Sequence, residues 1–96
     1  MGAVDFCIKA YGKTAQEAFD SAVEEALYQH GHSGYTGSIA EKDNFVMIEC
    51  PEGKDPEYHA YDLLEEDDSR VIDKYGPAGC IKAGENEYWF FGFAST

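Results

Sequence analysis

Basic residues are scarce in this chain. Its 96 residues include seven Lys and Arg against 19 Asp and Glu, a formal net charge of −12. Binding to nucleic acid or to an anionic membrane surface needs Lys and Arg that displace counterions, so both partner classes are disfavoured. A basic macromolecular surface is the complementary partner. Long apolar runs are also missing, since no stretch approaches the roughly 20 residues that a membrane-spanning helix needs. The start, Met1-Gly2-Ala3-Val4-Asp5, lacks a basic segment followed by an apolar one, so no secretory leader is expected. Met1-Gly2 resembles a myristoylation start, but Phe6 stands where Ser or Thr is required. The cysteines, Cys7, Cys50 and Cys80, are odd in number and form no Cys-x-x-Cys pair. That usage points to reduced, packed thiols in a cytosolic protein.

Signatures of catalysis are absent as well. No Gly-x-Ser-x-Gly elbow occurs. The cysteines sit in apolar runs or beside proline, where a thiol is inert packing. Carboxylates are so numerous that no pair stands out for acid–base work. No catalytic residue, metal site or cofactor is assigned, and a non-enzymatic protein is expected.

A hydrophobic content of 44%, with 15% aromatics, is ample for one globular domain spanning residues 1–96. Val4, Phe6, Ile8 and Ala10 alternate with Asp5, Cys7, Lys9 and Tyr11, which predicts a strand with one buried face. Thr14-Ala15-Gln16-Glu17 reads as a capping box. Apolar residues from Ala15 to Leu27 follow at helical spacing, so a helix is predicted over 15–30, stopped by Gly31. Phe45-Val46-Met47-Ile48 predicts a short buried strand, and Asp55-Pro56 a helix start. Tyr58, Tyr61, Leu64, Val71, Ile72 and Tyr75 lie near one helical stripe. This predicts a helix near 56–67 and a second near 69–75, ended by Gly76-Pro77. Two apolar runs, 80–83 and 88–93, flank Gly84-Glu85-Asn86 and predict a hairpin. Gly92 inside the last run predicts a bulge or a close approach. The order β-α-β-α-β-β implies an α+β fold: a mainly antiparallel sheet of about four strands with two or three helices packed on one face. The aromatic C-terminal strand is a candidate edge for pairing with another copy, so an oligomer is left open.

Two segments are candidates for function. Residues 30–42 space Gly31, Gly34 and Gly37 around Tyr35, beside His30 and His32. Glycine at this spacing suits neither a helix nor a central strand. The segment is either a structural turn or a loop that uses Tyr35, Thr36 and Ser38, with Glu41 and Lys42, to hold a ligand. It is not a phosphate-binding P-loop, because its lysine stands at the wrong spacing. Two imidazoles are too few for zinc unless His59, Cys50 or Glu41 completes the set. The second segment is acidic. Ten carboxylates between Glu49 and Asp73 are opposed within that span by Lys54 and Arg70 alone. On a helix Asp62, Glu65, Glu66 and Ser69 share a face, with Asp67 and Asp68 next in sequence, and like charges at such spacing cost roughly a few tenths of a kcal/mol per pair. Such a strip is either a solvated face or a surface that imitates a phosphate backbone.

The run from Glu25 to Lys42, with its His-Gly-His-Ser-Gly-Tyr-Thr-Gly-Ser-Ile-Ala-Glu-Lys core, resembles small proteins encoded by bacteriophages. Tyr75-Gly76-Pro77-Ala78 and Phe90-Phe91-Gly92-Phe93-Ala94-Ser95-Thr96 carry the same resemblance, which covers nearly the whole chain. It implies a viral origin and assigns no catalytic residues. By analogy of class, small acidic viral proteins of this kind include anti-CRISPR and other anti-defence inhibitors. The expectation is therefore a phage anti-defence protein in the host cytoplasm that binds a host effector with a basic nucleic-acid-binding surface. Asp62, Glu65, Glu66, Asp67 and Asp68 would supply the charge and Tyr35 a shaped contact. The alternative is a nucleotide-signal binder using loop 30–42. A small enzyme using His32 or His59 ranks third.

Overall fold

The computed structural model describes residues 2–30 and 37–95. The sequence-predicted contacts of His32, Gly34, Tyr35 and Thr36 lie outside these residues. Strand β1 spans Ala3–Tyr11, helix α1 Ala15–His30, a short 3-10 turn Ile39–Glu41, β2 Phe45–Met47, α2 Pro56–Glu65, β3 Ala78–Gly84 and β4 Glu87–Ser95. The fold is α+β, as the element order implies. The strands form one sheet in the order β1-β4-β3-β2. The β1–β4 and β3–β4 pairs are antiparallel, while β2 runs parallel to β3.

The two helices do not share a face of this sheet. Alternate residues of each strand enter two separate cores. On one side Ala18, Phe19, Ala22 and Ala26 of α1 pack against Ala10, Cys80, Tyr88 and Phe90. On the other, Ala60, Leu63 and Leu64 of α2 pack against Val71, Ile81 and Phe91. The expectation of helices on one face therefore gives way to three layers. The reason is visible in β4, where Tyr88, Phe90 and Phe91 are all buried and Trp89 is half-buried. An uninterrupted apolar run marks a strand covered on both faces. Phe19, Phe45 and Phe90 form an aromatic trio under α1, with ring centroids 5.1–5.7 Å apart.

Local chemistry accounts for the element ends. The Thr14 hydroxyl accepts the Glu17 N–H at 3.1 Å, the cap expected for α1. Gly12 joins β1 to α1 where a Cβ would stand 2.5 Å from the Ala18 nitrogen, so only glycine fits the close approach. Asp55 caps α2 by accepting the Glu57 N–H at 2.9 Å, with Pro56 in the first turn.

The second helix predicted near 69–75 is a series of turns instead. Asp67 adopts a left-handed φ of 54°. The Asp67 N–H donates to the Leu64 carbonyl and the Asp68 N–H to the Leu63 carbonyl, the paired bonds of a Schellman motif that ends α2. The Asp68 carboxylate then accepts the Arg70 N–H at 2.9 Å, which holds the next turn.

Three further expectations are revised. The aromatic C-terminal strand β4 is central, paired on both sides, and β1 is the long edge. Gly92 pairs regularly with Phe6, and the irregularity in the sheet falls between Lys82 and Gly84. Tyr58, Tyr61, Ile72 and Tyr75 are exposed, because Ala60, Leu63 and Leu64 supply the buried stripe of α2 at spacings of three and four residues.

Candidate functional site

With its inner stripe buried, α2 turns Tyr58, Tyr61 and Glu65 outward. Tyr58 is 69% and Tyr61 46% exposed. Glu66 and Asp67 follow at the helix end and are exposed as well. The five carboxylates singled out in the sequence divide into two groups here. Asp62 is ion-paired with Lys54. Asp68 accepts a fork from Arg70, with Nε and Nη2 each 2.9 Å from its oxygens. Hydrogen bonds from the Arg70 guanidinium and amide hold the Asp68 carboxyl down at about 2. Both carboxylates are thus balanced by a neighbouring cation. None of the described ion pairs involves Glu65, Glu66 or Asp67.

The position of these three acids is electrostatically unfavourable. The C-terminus of a helix carries the negative end of the macrodipole, where cations stabilise and anions destabilise by roughly 0.3–1 kcal/mol each. The last turn of α2 contains no basic residue.

The C-terminal part of segment 30–42 is structural. The Gly37 N–H donates to the Ser95 carbonyl at 2.8 Å, tying the segment to the end of β4. The Ser38 hydroxyl accepts the Ala40 N–H at 3.2 Å and caps the 3-10 turn that holds half-buried Glu41. Lys42 is 3% exposed. Its ammonium donates to the carbonyls of Asp73, Lys74 and Gly76 at 3.2, 3.2 and 3.0 Å. Burial lowers its pKa, and the Asp73 carboxylate opposes that shift. The sequence offered Lys42 as a contact for an anionic ligand. The fold turns it inward, where it fastens the 73–76 turns to the body of the protein.

Of the residues raised as metal ligands, His32 and the side chain of His30 lie outside the described residues. Among the described residues, no group of three or more His, Cys, Asp and Glu is placed to hold a metal. Cys7, Cys50 and Cys80 are free thiols. Burial pushes the Cys80 thiol up to about 12. Burial and the nearby Glu57 push Cys7 up to about 11. Both therefore stay protonated at neutral pH and are poor nucleophiles. The His59 Nδ1 is buried with no hydrogen-bond partner among the described residues.

Sequence reasoning missed the outward tyrosines of α2. The available signal was the stricter spacing of Ala60, Leu63 and Leu64, which left Tyr58 and Tyr61 for the opposite side. It also missed a groove of about 390 Å³ between β1 and α1, floored by Phe6, Ile8, Ala22 and Ile39. No helix among the described residues is long and apolar enough to cross a membrane. No protein-family model, curated protein or solved structure matches the chain.

Proposed function

We propose that the protein works by binding, not catalysis: a phage anti-defence inhibitor that occupies a basic nucleic-acid-binding surface on a host effector, with an anti-CRISPR role as the specific reading. The observation that carries it is the exposed Glu65, Glu66 and Asp67 at the negative end of α2, opposed by no basic residue in that turn. A basic partner offsets a cost that Lys54, which attracts Glu66 as well as Asp62, meets only in part within the chain. Tyr58 and Tyr61 flank the acids with exposed rings suited to Arg side chains. The phage-like sequence motif and the net charge of −12 support the same reading. The site of action is then the cytoplasm of the infected cell. Asp62 and Asp68 act at the margin of the surface, because each is already ion-paired within the chain.

The test is phage plating on bacteria with active CRISPR immunity. Expression of the wild-type chain is expected to restore plaques. The triple reversal Glu65→Lys, Glu66→Lys, Asp67→Lys is expected to lose the effect while keeping a native circular dichroism spectrum. A wild-type chain that restores no plaques against any of the CRISPR types tried rejects the anti-CRISPR reading. A triple variant that restores them as well as wild type rejects the acidic surface.

A further inference from the structure

Among the described residues, strand β1 is a long, open sheet edge. It has nine residues, no proline and an unbroken register with β4 from Ala3 to Tyr11. Natural edge strands are usually short, bulged or interrupted by proline to prevent pairing with another chain. The hydrogen-bond phase of this edge follows from its end. The Gly12 N–H donates to the Asn86 carbonyl at 3.1 Å, and Gly12 opposite Asn86 continues the β1–β4 register. In an antiparallel ladder, alternate residues turn both backbone groups toward the partner. Even-numbered residues therefore face β4, and Ala3, Asp5, Cys7, Lys9 and Tyr11 present N–H and C=O groups outward. On the α1 side the edge is incompletely covered. Val4 is 39% exposed, and Phe6 and Ile8 are half-buried beside the groove under α1.

The chemistry of this edge is symmetric about Cys7. With a second copy laid antiparallel and centred there, Asp5 faces Lys9 of the second copy, twice over. Val4 faces Ala10 and Phe6 faces Ile8, each on one side of the sheet. These apolar pairs fall at non-hydrogen-bonded positions, where Cα atoms approach to about 4.5 Å and side chains pack closest. Sliding the second copy by two residues removes both charge pairs. Sliding it by four sets Asp5 against Asp5 or Lys9 against Lys9. Lys9 is already held on the α2 side of the sheet, 3.8 Å from Glu87 and 5.5 Å from the Trp89 ring centroid. The carboxylate of Asp5 from the second copy arrives on that same side.

We propose that β1 is a homodimer interface, with two copies joined edge to edge about a two-fold axis through Cys7 into one continuous sheet. Up to about ten inter-chain backbone hydrogen bonds form, two for each outward-facing residue pair. The apolar pairs cover Val4, Phe6 and Ile8. Because facing residues share a side of the sheet, both α2 helices lie on one face and both α1 helices on the other. This inference does not depend on the proposed function, although it would bring two acidic helix ends onto one face.

Sedimentation velocity of the full chain provides the test, at about 100 µM and about 150 mM salt, where a Debye length of about 8 Å screens the net charge. Wild type is expected to sediment as a dimer. Asp5→Lys and Lys9→Asp, each alone, are expected to weaken self-association at least about tenfold with unchanged circular dichroism, because like charges then face each other twice. An equimolar mixture of the two variants is expected to form a heterodimer, since one chain then carries two lysines at the edge and the other two aspartates. The double variant is expected to dimerise like wild type. A wild-type chain that stays monomeric overturns the proposal and leaves the edge to a strand from another protein. Dimers that survive both single substitutions, or a mixture that fails to associate, overturn it too.

Discussion

Lys42 shows how one residue changes meaning between sequence and structure. In sequence it closes a glycine-rich segment and offers a cation to a ligand. In the fold its ammonium is spent on three backbone carbonyls of the 73–76 turns. Lys42→Met keeps the aliphatic stem and leaves those carbonyls without their donor. Unsatisfied buried acceptors cost roughly 1–3 kcal/mol each when water cannot replace the donor. A loss of about 3 kcal/mol in urea unfolding is expected, with the m-value unchanged. A loss below about 1 kcal/mol would mean that water serves the carbonyls equally well.

Helix α2 is the element on which the functional reading rests, and its ends are set by local chemistry. Asp55 and Pro56 start it, and that start was legible in sequence. Its stop near residue 67 was legible too, to within two residues, but not its form, because Asp67 at φ 54° takes a left-handed position that sequence rules assign first to glycine. Glycine is the usual occupant of such a position. Asp67→Gly is therefore expected to raise stability by about 0.5–1 kcal/mol in chemical denaturation, by relieving the backbone and removing an anion from the negative helix end. The proposed function predicts that the same change weakens inhibition of the host effector. A more stable and less active variant separates the two roles of this residue. An unchanged or lowered stability would show that the aspartate backbone conformation carries no cost there.

Across the whole molecule, the two interior strands β3 and β4 line both cores. Phe90 points into the α1 layer and Phe91 into the α2 layer, and both are fully buried. Truncating a buried Phe to Ala typically costs 3–5 kcal/mol. Phe90→Ala and Phe91→Ala are each expected to cost about 4 kcal/mol, from a total near 5–15 kcal/mol for a domain of this kind. Both variants should still unfold in one transition, seen by tryptophan fluorescence and by circular dichroism alike, because the same two strands, β3 and β4, form the floor of both layers. Separate transitions for the two probes would show that the layers fold independently.

Taken alone, the sequence determined what depends on neighbours along the chain. The period of β1, the Thr14 hydroxyl cap on the Glu17 N–H, the Asp55-Pro56 start and the turn between the last two strands are all short-range, and all stand where they were expected. The four-stranded α+β composition followed from their order, and the surplus of acid followed from counting. Tertiary structure decided what depends on neighbours in space. It placed β4 in the centre and β1 at the edge, because an apolar run on both sides of a strand needs two layers to bury it. It rotated α2 so that its small and aliphatic stripe went inward and its tyrosines outward. It paired Asp62 and Asp68 with cations and left Glu65, Glu66 and Asp67 facing solvent at a helix end. Charge and pattern are properties of the chain, whereas exposure and pairing depend on which surfaces the fold has already used.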